Sequence, residues 1–258
     1  MTSTYIISGF AVGLLVGLTG VGGGSLMTPL LIALFNVHPA TAVGSDLLYA
    51  AVTKSVGTAV HGRSNSVNWT VVRRLATGSV PATLLTFLIM IQNEITATKG
   101  GLLVFALGTV LLITSATMIF RNAIVDRLGH LVEGASKSTI SYLTVGVGAL
   151  LGVLVTLTSV GAGAIGVTAL LILYPRLPTV RIVGSDIAHA VPLTLVAGLG
   201  HWYFLNDVDW GLLGSLLVGS IPGIILGSLL APRLPEGVLR VLLAIVLVLV
   251  SLKLFGFY

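Results

Sequence analysis

Cysteine is absent from the 258-residue chain, which excludes disulfides, thiolate metal sites and thiol chemistry. Charge is nearly as scarce. Asp, Glu, Lys and Arg make up 8% of the residues, against roughly 25% in a soluble domain. So few charges cannot clothe a water-facing surface, and with 55% hydrophobic residues lipid must cover much of the exterior. Met1 to Thr53 holds no Lys or Arg, so the basic n-region of a cleavable signal is missing. The formal net charge of +5 comes without any basic run, which excludes nucleic acid as a partner and reads as loop charge that sets membrane orientation. Five scattered histidines make no metal signature, and no Ser-His-Asp order stands out, so neither metal nor cofactor is expected. An intramembrane enzyme is the weakest of the readings left open.

Glycine, in contrast, is plentiful, with 32 residues. In membrane bundles it lets helices approach closely and lets backbone open around a ligand. Apolar segments run over 5–35, 41–61, 71–92, 100–120, 138–174, 181–205, 211–231 and 238–257. The clearly polar stretch is Arg121 to Lys137, with five charges in seventeen residues. It separates two halves that share landmarks in order, and such internal similarity marks a structural repeat. Gly22-Gly23-Gly24, Gly44-Ser45-Asp46, His61, Trp69 and Gly78-Ser79-Val80-Pro81 recur as Gly161-Ala162-Gly163, Gly184-Ser185-Asp186, His201, Trp210 and Gly219-Ser220-Ile221-Pro222. The offset drifts only from 139 to 141.

Loop charge swaps between equivalent positions. Arg63, Arg73 and Arg74 follow the second segment of the first half, whereas Asp207 and Asp209 occupy the matching place in the second. Conversely, Arg176 and Arg181 stand opposite the uncharged Val37-His38-Pro39. Placing loops 62–74, 121–137, 175–181 and 231–240 in the cytoplasm puts ten of thirteen basic residues there, as the positive-inside rule requires. The expected fold is therefore an all-α polytopic membrane protein of two inverted repeats, each a glycine-broken helical hairpin plus three spanning helices. Residues 1–120 form the first repeat, 121–137 a cytoplasmic linker and 138–258 the second repeat, with both termini on the outer side. Segment 5–35 is too short for two full crossings, which need about 40 residues. A re-entrant pair fits better, and its turn must be surrounded by protein or an aqueous cavity.

The turns carry the chemistry. Gly22, Gly23, Gly24 and Ser25 open one half-helix, and Ser159, Gly161 and Gly163 precede the other. Free N–H groups there, with the positive end of the helix dipole behind them, suit an anion, and secondary transporters place such ends near the bilayer midplane. The alternative is that these glycines only permit tight packing. Gly24→Val is expected to abolish transport, and Gly9 on the outer arm to tolerate a methyl group. The run is not a nucleotide loop, since no Lys follows it and no βαβ unit contains it.

Lys54 lies within a span, where a Lys costs about 2.5–3.5 kcal/mol and should face the bundle or water. Either it meets an anion, together with the hydroxyls of Ser45 and Ser185, or it snorkels to the cytoplasmic interface. Asp46 and Asp186, each after a Gly-Ser pair read as a helix start, either cap those helices or take part in proton coupling. His189, one turn beyond Asp186, is expected to pair with it. His61 and His201 are read as interfacial, and Trp69, Trp202 and Trp210 as interfacial anchors.

The segment Gly-Val-Gly-Gly-Gly-Ser-Leu-Met-Thr-Pro-Leu-Leu from Gly20, with Ala40-Thr41-Ala42-Val43-Gly44-Ser45-Asp46 and Gly57-Thr58-Ala59-Val60-His61, resembles the sulfite exporter TauE/SafE family. The resemblance covers nearly the whole chain. It implies a multi-pass protein of a prokaryotic inner membrane that moves small sulfur-containing anions such as sulfite or sulfoacetate, often outward, with an anion channel as the competing class. The second half departs from the pattern, with Ser159 and Ala162 replacing glycines and Thr194 standing where Lys54 does. Partners implied are a small anion and lipid, and a homodimer is a state the resemblance leaves open.

Overall fold

The structure, a computed structural model, describes residues 2–19, 24–63, 66–93, 100–230 and 236–256. Among them the chain is helical, without a strand. The first half holds α1 (Thr2–Thr19), α2 (Gly24–Phe35), α3 (Pro39–Arg63), α4 (Trp69–Gln92) and α5 (Gly100–Ile119). A short α6 (Arg121–Val132) joins it to α7 (Lys137–Thr158), α8 (Ala164–Leu173), α9 (Thr179–Gly200), α10 (Trp210–Leu230) and α11 (Glu236–Leu254). A π-turn, His201–Leu205, prolongs α9.

Five of the described helices are long and apolar enough to cross a membrane: Trp69–Gln92, Gly101–Ile119, Lys137–Thr158, Thr179–Leu205 and Trp210–Gly227. Their outward residues are apolar, as with Leu84, Leu85, Leu88 and Ile89 on α4 or Ile225, Leu226 and Leu229 on α10. Water would not tolerate such rows, and lipid does. The polar stretch expected as a linker is itself the helix α6, with no buried residue.

Polar side chains define the helix ends that matter. Asn68 caps α4 by accepting from the N–H groups of Thr70 and Val71 at 3.1 and 3.3 Å. Ser136 does the same for α7 through Thr139 N–H at 3.1 Å. Both satisfy amides that the first turn leaves open.

The packing exchanges the halves. α1 lies along α10 and α4 along α7, α3 crosses α9, and α5 pairs with α11. In repeat terms, α1 of one half corresponds to α7 and α4 to α10, so each outer pairing is the counterpart of the other. Close backbone contact makes these crossings. A Cβ on Gly9 would fall on the Leu216 carbonyl oxygen and one on Gly13 on that of Ser220. Their counterparts Gly148 and Gly152 press on the carbonyls of Leu75 and Ser79 in the same way. The expected tolerance of Gly9 for a methyl group is therefore corrected: Gly9 is a contact point between helices. Between α5 and α11 the devices are hydroxyls, Ser115 Oγ donating to the Ala244 carbonyl at 3.0 Å and Ser251 Oγ to that of Gly108 at 2.8 Å.

Candidate functional site

Each apolar hairpin is built of two separate helices, α1 and α2 in the first half and α7 and α8 in the second. In the second, α7 ends at Thr158, Ser159 takes the left-handed conformation (φ 60°), and Gly161 and Gly163 follow at φ 121° and 116°. Conformations of that kind suit glycine and cost a Ser of the order of 1 kcal/mol or more. The turn lies within protein, since Ser159, Val160, Gly161, Ala162 and Gly163 are all buried. In the first hairpin α1 ends at Thr19 and α2 begins at Gly24. Gly22 and Gly23 lie outside the described residues, as do the side-chain surroundings of Ser25; Gly24 and Ser25 form the first turn of α2.

The two Gly-Ser-Asp motifs lie inside helices. α3 starts at Pro39 and α9 at Thr179, so Asp46 and Asp186 sit two turns in, and the expectation that Gly-Ser opens each helix is corrected. Proline marks the start instead, at the first position of α3 and just before α9. The carboxylates reach the neighbouring half-helices. Asp46 Oδ2 accepts from Thr28 N–H on α2 at 3.0 Å and from the Thr28 hydroxyl at 2.5 Å. Asp186 lies over the first turn of α8, where a Cβ on Gly166 would fall on its Oδ1, and it faces the Gly163 N–H. Each half-helix thus already meets a carboxylate of its own half, α2 at Thr28 and α8 in its first turn. Asp46 Oδ1 and Asp186 Oδ1 are buried without a hydrogen-bond partner.

Lys54 is 5% exposed, buried in the bundle rather than extended to an interface. Its charge acts on Asp186 of the opposite half first and on Asp46 second, and it also reaches His189. His189 does not pair with Asp186 as expected. Its Nε2 lies 2.9 Å from Ser79 Oγ on α4, and Nδ1 has no partner. The repeat predicts the counterpart of this contact: Tyr49 occupies the place of His189, Ser220 that of Ser79, and these two hydroxyls do stand together, both buried.

Ser45 and Ser185 bind backbone rather than one another. Ser45 Oγ accepts from the Asp209 N–H at 3.0 Å and Ser185 Oγ from the Asn68 N–H at 2.8 Å. Asn68 and Asp209 each precede the first Trp of a span, so the two contacts are equivalent. The adjacent glycines seat the same loops, with Gly44 against the Asp207 carbonyl and Gly184 against that of Ser66. His201, expected at an interface, is 1% exposed. Its Nε2 donates to the Thr156 carbonyl at 2.9 Å while Nδ1 faces Asp207 at 3.7 Å. Trp69, Trp202 and Trp210 are exposed, at 55%, 43% and 55%. Among the described residues no group of three His, Cys, Asp or Glu side chains could hold a metal ion.

A multi-helix apolar bundle with broken helices and a buried Lys among carboxylates has the build of a membrane transporter, because charge in that setting is retained for function. The chain belongs to the sulfite exporter TauE/SafE family, whose model matches residues 5–254. It is 38% identical over 259 residues to a probable membrane transporter protein, YjnA, of Bacillus subtilis, covering 98% of this chain and all of that one. A probable membrane transporter protein of Xylella fastidiosa is 28% identical over 233 residues, 88% of this chain and 83% of its own. No solved structure matches the chain. It is accordingly a multi-pass membrane transporter of this family.

Sequence reasoning missed Thr28, Tyr49, Ser79 and Ser220. The signal for three of them was present, since the repeat offset that pairs Asp46 with Asp186 also pairs Tyr49 with His189 and Ser79 with Ser220.

Proposed function

We propose that the protein is a secondary carrier that exports small sulfur-containing anions, of the sulfite and sulfonate kind, across a prokaryotic inner membrane by alternating access. The observation that carries this reading is Lys54, buried where the charges of Asp186 and Asp46 converge beside the α7–α8 break. An anion is stable there only against a cation and donated hydrogen bonds, and Lys54 with the N–H groups of the broken helices supplies both. In this reading the anion competes with Asp186 for Lys54. Asp46, Asp186 and His189 are the groups whose charge must adjust as it does, which makes them the coupling residues. Ser45 and Ser185 act one step away, by holding the loops of the opposite half.

The repeats are inverted in this reading, with residues 1–120 and 138–258 entering the membrane in opposite senses, α6 in the cytoplasm and both termini outside. The swapped loop charges and the exchanged pairings of α1 with α10 and α4 with α7 support it. The test is flux in proteoliposomes, with sulfite, sulfoacetate, sulfate and chloride offered in turn. Saturable uptake of the sulfur oxyanions, with counterflow, is expected. Transport of none of them would end the substrate assignment, and non-saturating flux without counterflow would point to a channel.

A further inference from the structure

His201 and Asp207 face each other through two atoms that no hydrogen bond satisfies. His201 Nδ1 and Asp207 Oδ2 are 3.7 Å apart, and neither has a hydrogen-bond partner. His201 is 1% and Asp207 9% exposed, and buried polar atoms are normally bonded. The backbone brings the two together. Beyond α9 the π-turn His201–Leu205 ends on Asn206 in the left-handed conformation (φ 55°, ψ 34°), and the Asp207 N–H bonds back to the His201 carbonyl at 3.2 Å. Turns of this kind are rare and frequent at functional sites. Three helices hold the ring. Phe87 on α4 packs edge-on at 5.3 Å, a Cβ on Gly44 of α3 would lie 3.2 Å from the His201 Cβ, and Nε2 donates to the Thr156 carbonyl on α7 at 2.9 Å.

That last bond sets the proton count. A carbonyl only accepts, so Nε2 carries a hydrogen, and a neutral ring leaves Nδ1 with a bare lone pair. Beside an ionised Asp207, two acceptors then stand face to face. The gap is too short for a bridging water, which needs roughly 4.5 Å between its two partners at ordinary hydrogen-bond lengths. It exceeds a single hydrogen bond by less than about 1 Å. One proton, on Nδ1 or on Oδ2, makes the pair donor and acceptor, and a small rotation of the Asp207 side chain closes it. The contacts that other elements make with the ring are neutral: the Thr156 carbonyl, Phe87 and Gly44. Of the carboxylates nearby in sequence to these contacts, Asp46 is bonded to Thr28, and Asp209 accepts from the Leu212 N–H at 2.9 Å.

We propose that His201 and Asp207 form a one-proton site that, when occupied, latches the loop before α10 onto the ends of α9 and α7, and releases it when empty. This loop is the one that Gly44 and Ser45 of α3 seat, so the proton sets how firmly one of the two equivalent ties between the halves is closed. The site is one-sided, because Ser66 stands in the place of Asp207 in the other half and has no carboxyl group. In the inverted arrangement, protons of one compartment would therefore act on it. Its place in a transport cycle rests on that arrangement; the latch itself does not.

The full-length protein, purified in detergent and free of anionic substrate, is taken from about pH 5 to about pH 8, the range in which histidine changes charge. Amide hydrogen exchange of segment 201–210 is followed, corrected for the intrinsic pH dependence of exchange. Wild type should lose about tenfold in protection there as pH rises, while the exchange of α11 stays level. Asp207→Asn sets a carboxamide N–H beside Nδ1 at every pH, so the segment should stay protected and insensitive to pH. His201→Gln retains an N–H donor for the Thr156 carbonyl but offers Asp207 no titrating partner, so the segment should be exposed and equally insensitive. Thermal midpoints show that both variants are folded. The proposal is overturned by wild-type protection that is flat across the range, a result that needs no variant. It is overturned too if the wild-type pH dependence survives in folded Asp207→Asn or His201→Gln. Because no sulfur anion is present, the outcome is independent of the substrate assignment.

Discussion

Lys54 and Asp186 come from opposite halves, and their charges act on one another in the middle of an apolar bundle. Removing one member of such a pair leaves the other uncompensated, which costs about 3–5 kcal/mol where both are buried. Lys54→Met keeps the length of the side chain and is therefore expected to lower stability by that amount and to stop anion uptake. Adding Asp186→Asn removes the stranded carboxylate. The double variant should recover most of the thermal midpoint in detergent and none of the transport. Recovery of both would show that Lys54 serves only to neutralise Asp186 and never meets substrate. The asymmetry between the halves has its origin here: Thr194, the counterpart of Lys54, turns its hydroxyl back to the Ala190 carbonyl at 2.7 Å. Val167, in the place of Thr28, offers Asp186 no hydroxyl. One half presents a carboxylate hydrogen-bonded by Thr28 and the other a carboxylate on which the charge of Lys54 acts.

Among the elements, α1 and α7 show why composition alone reads ambiguously. Gly146 and Gly148 stand two residues apart on α7. A Cβ on Gly146 meets nothing within 4 Å, whereas one on Gly148 falls on the Leu75 carbonyl. Gly148→Ala, and Gly9→Ala at the equivalent crossing, should each lower stability by about 1–3 kcal/mol through overpacking. Gly146→Ala should be neutral or stabilise by up to about 1 kcal/mol, since the helix loses a flexible residue. Unfolding midpoints in a fixed detergent measure all three. The break between α7 and α8 was legible in the sequence because it depends on a run of small residues, and the shared landmarks of the two halves because they depend on order along the chain. The setting of Asp46 was not. Gly-Ser-Asp resembles a helix start by the usual capping preference, but the interior of a membrane bundle requires α3 to keep its backbone bonded, so the helix runs through the motif from Pro39. His189 and Ser79 are 110 residues apart, and local periodicity says nothing about such a contact. Only the superposition of the halves could have proposed it. The buried setting of His201 was equally hidden, because it comes from the Thr156 carbonyl on α7 and from Asp207.

At the scale of the whole molecule, the halves hold each other by equivalent contacts: Ser45 to the Asp209 amide and Ser185 to the Asn68 amide. Each ties the buried middle helix of one half to the loop that opens α10 or α4 in the other. If the repeats are inverted, these two ties lie toward opposite membrane faces, and an alternating-access cycle would loosen one while keeping the other. That arrangement makes topology the decisive property, and the chain has no native cysteine to confuse its measurement. Thr70 in the first turn of α4 and Asn206 before α10 are both exposed and flank these equivalent loops. Single variants Thr70→Cys and Asn206→Cys, treated with a membrane-impermeant maleimide, should react from opposite sides. Thr70→Cys should label only in inside-out vesicles and Asn206→Cys only in intact cells. The charges nearby agree, with Arg73 and Arg74 following Thr70 and Asp207 and Asp209 following Asn206. Labelling of both positions from one side would overturn the inversion. It would also set the two ties on the same face, where they could not open in turn.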